Sequence, residues 1–393
     1  MAPSRPRVVL LRGHHPTVFG LRAFERLQDR FDMGVVVTGR SRYDLNGLRL
    51  PQIPVRTMRE LLPRGAVGAA VTMGLGDRVL RPREAFRDAD LVHTEELGWW
   101  FSGQAARLKP TAGFRLVVTV WETLPLLDAY RDRQARRFRA ATLDTADLFL
   151  AATERARDGL LLEGVSPDRI VVAYPGVDVE RFAAGAAQAP TVEDYLIVSP
   201  GRLEWEKGHH DLLRAVAALR RGLVPLPPGV ADRLRVVIVG SGPEHGRLLR
   251  HGAELDIGDA LEIRSVAYDD MPSVYAGASA MVLASLPRSG CSLWPGDVPR
   301  CFWEEQFGLV LAEAMAAQLP LVLSRSGAIP EVAGDTAAYF PPGDWMAMAR
   351  ALAEGPLSGP PAQRVAHGPE RVRLYSSEAA AERLAAAYQR VLT

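Results

Sequence analysis

The sequence has few cysteines and no long apolar run, and these two shortages exclude several classes of protein. No stretch of eighteen apolar residues occurs, so no membrane-spanning helix is predicted. The apolar segment near the start is too short for a secretory signal. Cys291 and Cys301 have no neighbouring Cys or His to complete a metal site, and so few thiols fit a reducing compartment. We therefore expect a cytoplasmic protein, in which these cysteines would pair only if oxidised.

Lysine is almost absent as well. Only Lys109 and Lys207 are lysines among the 47 basic residues, so arginine meets nearly every need for positive charge. Lysine offers a compact ammonium on a flexible stem, which the planar guanidinium of arginine does not replace. Lys207 follows a predicted strand end, which favours a specific role, although a solvated surface lysine would look the same in the sequence.

The net charge of +1 conceals an uneven distribution along the chain. The first 190 residues carry 28 Lys and Arg against 22 Asp and Glu, whereas the remainder carries 19 against 24. The densest basic run begins at Arg131 and ends at Arg139. It has two interpretations, a peripheral contact with the anionic inner face of a membrane or a solvated helix face. The basic excess is too small to predict binding to nucleic acid.

Length and composition indicate two globular domains. A chain of 393 residues exceeds the size of one typical core, and 48% hydrophobic with 24% charged residues is ordinary for a globular protein. Short apolar runs alternate with amphipathic segments, and a small, polar stretch at residues 183–195 interrupts the alternation as a linker would. We predict an α/β fold of two Rossmann-like, doubly wound domains with mostly parallel sheets.

The predicted first domain spans residues 1–188 and includes the stretch from about 376 to 393, an amphipathic helix that crosses back to it. The second domain spans residues 189–375. Ligands of such sheets bind beyond the carboxyl ends of the strands. In the first domain we expect ligand contacts from residues at these positions, which are His14, His15, His93, Glu95, Glu96, Trp121 and Glu122.

Three loops of the second half each follow a predicted strand and contain glycine. Glycine lets the backbone approach a ligand closely, and the helix after each loop directs its first amides towards an anion. One Gly-x-Gly alone is also an ordinary tight turn, but three such loops on one sheet edge predict a phosphate-bearing ligand. The loops contain Gly201 with Arg202 and Lys207, then Gly240 with Gly242, then Phe307, Gly308 and Leu309.

Glu305 and Glu313 stand on either side of the third loop, eight positions apart. On one continuous helix they would be rotated roughly 80° from each other at 3.6 residues per turn, so they would not share a face. A helix that begins near Gly308 instead places Glu305 in the preceding loop and Glu313 on the second turn. The two carboxylates then either contact one extended ligand or simply favour the helix macrodipole.

Four segments together resemble the signatures of family 4 of the retaining nucleotide-sugar glycosyltransferases, which have the two-domain GT-B fold. They are residues 199–208 ("GRLxxEKG" in the family), 240–244 ("GxGPE"), 305–316 (Glu-x7-Glu) and 324–334 ("SGAIPEV"). Residues 146–182 also resemble the segment that closes the family's acceptor domain, so the resemblance implies that the seven strand-end residues named above for the first domain contact the acceptor. The likeness covers nearly the whole chain, and it implies two Rossmann-like domains that face each other across a cleft.

The resemblance implies a role for each second-domain candidate. Arg202 and Lys207 bind the donor diphosphate and stabilise the charge that grows there, Glu305 holds hydroxyls of the donor sugar, and Glu313 accepts hydrogen bonds from the ribose. Arg202, Lys207 and Glu305 are thus the predicted catalytic residues. The predicted donor-binding residues are Gly13, Gly201, Arg202, Lys207, Gly240, Gly242, Arg264, Phe307, Gly308, Leu309 and Glu313.

The implied reaction moves a sugar, with retention of anomeric configuration, from a UDP- or GDP-sugar to a hydroxyl-bearing acceptor. That acceptor is a saccharide, a lipid-linked sugar or a small molecule. The family requires no cofactor beyond the donor, and we predict no metal site because no Asp-x-Asp pair suggests a metal-held diphosphate.

Two departures from the family pattern leave an alternative open. Gly13 is followed by His14 and His15 instead of a second glycine, and Trp121 stands where many members have a histidine that touches the donor sugar. The alternative is a catalytically weak, sugar-nucleotide-binding subunit that supports a partner enzyme. Residues 286–304 also form a long loop before Glu305, which is either a lid over the site or a solvated insertion.

Overall fold

The chain forms two compact units, each built on its own sheet. The computed structural model describes residues 5–41, 44–63, 65, 67–68, 71–72, 77–127, 133–187, 194–290, 300–360 and 368–393. Unit 1 contains Met1–Val177 and Tyr375–Thr393, and unit 2 contains Asp178–Leu374. This division places residues 178–187, which the sequence analysis assigned to the first domain, in unit 2.

Unit 1 is built on a seven-stranded parallel sheet in the order β3-β2-β1-β4-β5-β6-β7. Its central strands are continuous apolar runs because helices cover both faces of the sheet. Val9 of the inner strand β1 lies opposite Gly34 of β2 on one side and Val92 of β4 on the other. The strands are β1 (Arg7–Leu11), β2 (Asp32–Thr38), β3 (Gln52–Val55), β4 (Leu91–Glu95), β5 (Arg115–Val120), β6 (Leu148–Ala151) and β7 (Ile170–Val172).

The two faces of this sheet have separate cores. Leu11, Phe101 and Phe149 belong to one, while Phe24 and Tyr388 belong to the other. The second core includes the C-terminal helix (Ser377–Leu392), which confirms that this helix crosses back to the first half of the chain. The remaining helices of unit 1 are α1 (Val18–Glu25), α2 (Met58–Leu61), α3 (Pro82–Ala85), α4 (Trp100–Ala112), α5 (Arg133–Thr145) and α6 (Glu154–Leu162).

Unit 2 is built on a six-stranded parallel sheet in the order β10-β9-β8-β11-β14-β15, and it has a separate two-stranded hairpin, β12-β13. The strands are β8 (Tyr195–Pro200), β9 (Leu234–Val239), β10 (Leu261–Arg264), β11 (Ala280–Leu283), β12 (Arg288–Gly290), β13 (Arg300–Trp303), β14 (Leu321–Ser324) and β15 (Ala337–Phe340).

The helices of unit 2 follow the strands in the alternation that the sequence predicts. Leu212, Val216 and Met348 pack into one large core on the sheet, which includes the inward residues of β8 and β9. The helices are α7 (Val179–Ala187), α8 (His209–Arg220), α9 (His245–Glu254), α10 (Met271–Ala276), α11 (Leu309–Ala316), α12 (Ile329–Ala333), α13 (Trp345–Glu354) and α14 (Pro369–Val372).

The predicted fold class of two Rossmann-like parallel sheets is confirmed, and the sequence analysis missed only short elements. Strand β3 contains Pro54, which is tolerated because the strand lies at the edge of its sheet. The hairpin β12-β13 lies within the loop predicted at residues 286–304, and residues 291–299, with Cys291, lie outside the described residues. Helix α7 extends to Ala187, into the stretch predicted as a linker.

Candidate active site

The carboxyl ends of the parallel strands of unit 2 meet at one edge, as the sequence analysis expects. The amide of Gly201, after β8, donates to the carbonyl of Val239 at 2.9 Å, and the amide of Gly240 donates to the carbonyl of Arg264 at 2.9 Å. A Cβ at Gly240 would overlap the carbonyl oxygen of Gly201, so the tight approach of these two loops requires glycine. Gly242 approaches the backbone of Leu203 in the same way.

Lys207 and Glu305 form a buried ion pair at this edge. Nζ of Lys207 lies 2.7 Å from Oε2 of Glu305, and the two side chains are 12% and 8% exposed. The hydroxyl of Ser285 donates to the same Oε2 at 2.6 Å. Both contacts fall on one oxygen, and within the described residues no protein hydrogen bond reaches Oε1. The carboxylate is thus oriented by a cation and a hydroxyl while one oxygen remains for a ligand.

The loop after β14 fixes the backbone of Glu305. The amide of Ala328 donates to the carbonyl of Glu305 at 2.8 Å. Gly327 has φ +54°, and a Cβ there would overlap the same carbonyl oxygen. Glycine is therefore needed at residue 327 both for its backbone conformation and for the close approach of Glu305.

Arg202 stands on the same loop as Lys207 but is exposed. Its side chain is 54% exposed, and its guanidinium lies 3.7 Å from Glu204 and 3.5 Å from the buried Glu206. Such a cation, held only loosely by carboxylates, is available to an anionic ligand. Arg264 at the end of β10 is also half exposed, 3.3 Å from Glu262.

His209 is a buried, neutral side chain that contacts the backbone of this loop. Its Nδ1 lies 3.1 Å from the hydroxyl of Ser199, and its Nε2 lies 3.2 Å from the carbonyl of Arg202. Burial lowers the pKa of His209 to about 4, so the ring adds no charge to the site near neutral pH.

Helix α11 begins directly after Gly308, which has φ +77°, and Glu313 lies on its second turn, as predicted. The hydroxyl of Tyr275 donates to Oε2 of Glu313 at 2.9 Å, and Tyr268 also hydrogen-bonds to this carboxylate. Burial raises the pKa of Glu313 to about 7 although both hydrogen bonds lower it. Phe307, just before the helix, is buried, so only its backbone can serve a ligand.

In unit 1, the loop after β1 is held by buried side chains. Gly13 has φ +59° and lies against the ring of Phe101. His14 is buried, with Nδ1 2.7 Å from the hydroxyl of Thr38 and Nε2 hydrogen-bonded to Asp77. His15 is exposed and its ring meets that of Trp99 edge to face. His15 is thus accessible to an acceptor, and His14 holds the loop.

His93 is a core residue, which corrects its prediction as an acceptor contact. It has no exposed surface, and its ring nitrogens lie 2.6 Å from the hydroxyl of Tyr388 and 2.7 Å from that of Thr119. Burial, and then the charge of Arg12, lower the pKa of His93 well below its usual range. A fully paired, neutral and enclosed imidazole has no group left for a substrate.

The carboxylates at this edge of unit 1 are all partly exposed, but they differ in their partners. Glu95 is 25% exposed, and its Oε1 lies 3.3 Å from Nε of Arg12. Glu96 accepts a hydrogen bond at 3.0 Å from the amide of Trp121. Glu122 accepts hydrogen bonds at 3.0 Å from the amides of the two residues that follow it. Glu96 and Glu122 therefore brace turns, whereas Glu95 is the better placed to bind a ligand.

An Asp-x-Asp pair does occur in the chain, contrary to the expectation from the sequence, at Asp88 and Asp90. Asp90 precedes β4, at the amino end of that strand, and its carboxylate accepts a hydrogen bond of 2.7 Å from the amide of Arg7. The pair therefore stands at the edge of the sheet opposite the candidate residues. Among the described residues, no group of three or more His, Cys, Asp and Glu is placed to hold a metal ion.

Comparison with known proteins agrees with this geometry over most of the chain. Residues 184–364 match the family model of the glycosyl transferases group 1, and residues 10–181 match that of glycosyltransferase family 4. The chain belongs to the group 1 glycosyltransferases.

One curated relative and two solved structures illustrate the likeness of this glycosyltransferase. A D-inositol 3-phosphate glycosyltransferase of Saccharomonospora viridis is 30% identical over 277 residues, which cover 64% of this chain and 58% of that relative. Anabaena HepE in complex with UDP has a TM-score of 0.69 at 16% identity, covering 98% and 100% of the two chains. Sucrose-phosphate synthase of Thermosynechococcus elongatus has a TM-score of 0.71 at 20% identity, covering 98% and 99%. The two structures share the GT-B fold.

Ser285 and Trp303 belong to the site although the sequence analysis did not name them. Ser285 reaches Glu305 from the end of β11, and Trp303 places its ring 4.8 Å from Nζ of Lys207. Trp303 stands only two positions before Glu305, a proximity that could have indicated its location. Ser285 carries no such signal, since serine at a strand end is common.

Proposed function

We propose that this glycosyltransferase moves a sugar from a nucleoside-diphosphate sugar to a hydroxyl-bearing acceptor, with retention and without a metal. The observation that carries the proposal is the buried ion pair of Lys207 and Glu305 at the carboxyl edge of the unit 2 sheet. A preorganised cation in a water-poor position stabilises charge that develops on a leaving group, and such stabilisation commonly contributes more to catalysis than any other effect.

The proposed donor lies along this edge. Lys207 and Arg202 bind the diphosphate, and backbone amides at Phe307, Gly308 and Leu309 approach the phosphate and the sugar. Oε1 of Glu305 accepts hydrogen bonds from hydroxyls of the sugar. Gly201, Gly240 and Gly242 allow the phosphates to approach the loops. Glu313 accepts hydrogen bonds from the ribose diol, and Arg264, at the end of β10, lies near the base.

In the proposed reaction, the bond between the sugar and the diphosphate oxygen breaks as the acceptor oxygen bonds to the same carbon from the same side. The acceptor's proton passes to the departing diphosphate, whose negative charge Lys207 and Arg202 stabilise. No step requires a carboxylate nucleophile. The donor base is proposed as uracil or guanine, and the likeness to Anabaena HepE, whose structure is in complex with UDP, favours uracil.

The acceptor is proposed to bind unit 1. His15, Glu95, Glu96, Trp121 and Glu122 are the predicted residues there that are at least partly exposed at the carboxyl edge of the sheet. Of the three carboxylates, Glu96 and Glu122 already accept backbone amides, which favours Glu95 as the acceptor contact. Carboxylate and imidazole groups suit a polyhydroxylated acceptor, and the relative named for D-inositol 3-phosphate favours a small polyol.

The proposal is tested with Lys207→Met and Glu305→Gln. Each variant should lower the turnover of a UDP- or GDP-sugar at least about 100-fold, as the loss of a preorganised electrostatic group does. Lys109→Met is the matched control, because Lys109 is the other lysine and pairs with Asp147 at 2.8 Å in unit 1. Turnover near the wild-type rate in both variants would reject the assigned roles.

Trp121 favours the second candidate, a sugar-nucleotide-binding subunit of a partner enzyme. Its amide is held by Glu96, and an indole has no hydrogen-bond acceptor for a donor sugar. Calorimetry would support this candidate if it gave tight binding of UDP or GDP while no acceptor in a broad panel yielded transfer or hydrolysis.

We also propose a peripheral contact with anionic lipid on the cytoplasmic side of a membrane. Arg133, Arg136 and Arg137 are exposed on α5, whereas Arg139 is tied to Glu163. Arg131 lies outside the described residues. Within the described ranges, no helix is long and apolar enough to cross a bilayer.

A further inference from the structure

Lys207 has an aromatic neighbour in addition to its carboxylate. Its Nζ lies 4.8 Å from the centre of the Trp303 ring and 2.7 Å from Oε2 of Glu305. A cation within about 6 Å of an indole face is attracted by the ring's quadrupole, most strongly when water is excluded. The Lys207 side chain is 12% exposed, so this contact operates largely without solvent.

The contact restrains a side chain that is otherwise flexible. A lysine has four rotatable bonds, and fixing its ammonium at one place costs conformational entropy. The ion pair with Glu305 is one restraint on the position of the ammonium, and the contact with the ring of Trp303 is a second. An ammonium restrained twice is preorganised before any ligand arrives.

Trp303 is supplied by the hairpin and not by the parallel sheet. It is the last residue of β13, whose partner strand β12 starts soon after the end of β11. Arg288 of β12 pairs with Trp303 in the antiparallel register. The hairpin thereby brings an aromatic ring to the ammonium two residues before Glu305 enters the site.

We propose that Trp303 is a positioning residue that holds the ammonium of Lys207 for the donor diphosphate, which makes the β12-β13 hairpin part of the donor site. This inference rests on the proposed function of Lys207. Of residues 286–304, it gives Trp303 a role in the site. The ring touches no reacting atom and acts only through Lys207.

The two lysines of the chain allow a direct test by NMR. In protein labelled with [13C]lysine, only Lys207 and Lys109 give ε-methylene signals, and the ring of Trp303 should shift the Lys207 signal upfield. Trp303→Ala should move that signal towards the value of a solvated lysine, and Trp303→Phe should move it less. The Lys109 signal should stay in place in both variants, because no aromatic contact of Lys109 occurs among the described residues.

A titration with UDP, repeated with GDP, then separates the inference from the proposed function. The Lys207 signal of the wild type should respond to the nucleotide, and Trp303→Ala should weaken the apparent affinity about 2- to 30-fold, the range of a cation–π contact. An equal affinity in both proteins would overturn the inference and leave the proposed function standing. A Lys207 signal that responds to neither nucleotide would overturn both.

Turnover gives the final criterion, through a double-mutant cycle. Trp303→Ala should lower kcat with Lys207 present and have no further effect in a Lys207→Met background. Trp303→Phe should recover most of the loss. A loss of equal size in both backgrounds would show that Trp303 acts on folding or on another group, and it would overturn the inference.

Discussion

Tyr275 donates a hydrogen bond of 2.9 Å to Glu313 within the core of unit 2, where both side chains are buried. A carboxylate in such a place loses hydration, and burial raises the pKa of Glu313 to about 7. The residue proposed to bind the ribose is therefore half protonated near neutral pH. Two consequences can be measured, one on stability and one on nucleotide affinity.

The stability of the wild type should fall relative to Glu313→Gln as the pH rises. Between the usual pKa of 4.5 and the folded-state value of about 7, the folded protein holds a proton that the unfolded chain releases. The free energy of unfolding therefore decreases with pH through this window, by up to about 1.4 kcal/mol per pH unit. Urea unfolding at pH 5 and pH 8 measures it, and a difference between the two proteins that is constant with pH would contradict the assignment.

Nucleotide affinity should show the opposite trend. An ionised Glu313 accepts both hydroxyls of the ribose diol, whereas a protonated one offers a donor in place of an acceptor. UDP should therefore bind more tightly at pH 8 than at pH 6, by about tenfold, because ionisation is largely complete only above pH 7. Calorimetry in matched buffers is the measurement, and Glu313→Gln is the control, because its pH dependence reports only the ionisation of the terminal phosphate of UDP near about pH 6. The tenfold change is the excess of the wild type over this control.

Gly327→Ala should lower the activity by more than its backbone strain alone would. Gly327→Ala adds left-handed strain, which costs on the order of 1–3 kcal/mol, and also pushes against the carbonyl of Glu305. We expect a loss of kcat/KM for the donor sugar larger than any loss of UDP affinity, because Glu305 is proposed to contact the sugar directly and to act on the diphosphate only through Lys207.

Gly222→Ala is the matched control for that variant. Gly222 has φ +70°, but nothing lies within 4 Å of a Cβ there, so it carries the strain without the collision. Gly222→Ala should lose only the stability that the backbone strain costs, and Gly327→Ala at least as much, measured as the unfolding midpoint, while only Gly327→Ala loses activity. Equal activity losses would mean that the collision with Glu305 has no catalytic effect.

The sequence was sufficient to locate the three glycine-containing loops at one sheet edge, because parallel strands bring their carboxyl ends to the same edge. It predicted the helix start at Gly308 and the positions of Glu305 and Glu313 on either side of it. It could not predict their partners, since Lys207 and Glu305 are 98 residues apart in the chain. The side-chain partners of Glu313, which set its pKa, were equally unpredictable.

His93 shows why the acceptor side was harder. A central parallel strand is covered on both faces, so a polar residue at its carboxyl end can point into the core as readily as towards a ligand. The hydroxyl of Tyr388, which shares a hydrogen bond with the His93 ring, lies 295 positions further along the chain. Only the packing of the C-terminal helix determines that this histidine is structural.

Substitution of this buried pair should therefore affect stability and spare acceptor binding. Tyr388→Phe leaves a ring nitrogen of His93 without a partner, which costs about 1–3 kcal/mol. The KM for the acceptor should stay unchanged in Tyr388→Phe, whereas Glu95→Gln, at the exposed edge, should raise it with little loss of stability. If Tyr388→Phe raised the KM for the acceptor at a temperature where the variant remains folded, His93 would be an acceptor contact after all.

The exposed arginines of α5 give the last prediction, on membrane contact. Arg133, Arg136 and Arg137 face solvent, and each arginine near an anionic surface contributes about 1 kcal/mol of binding. Cosedimentation with vesicles rich in anionic phospholipid should fall on changing all three to Gln, and it should weaken as salt shortens the Debye length. Vesicles of neutral lipid are the control. If the wild type does not sediment with anionic vesicles even at low salt, these arginines form an ordinary solvated face.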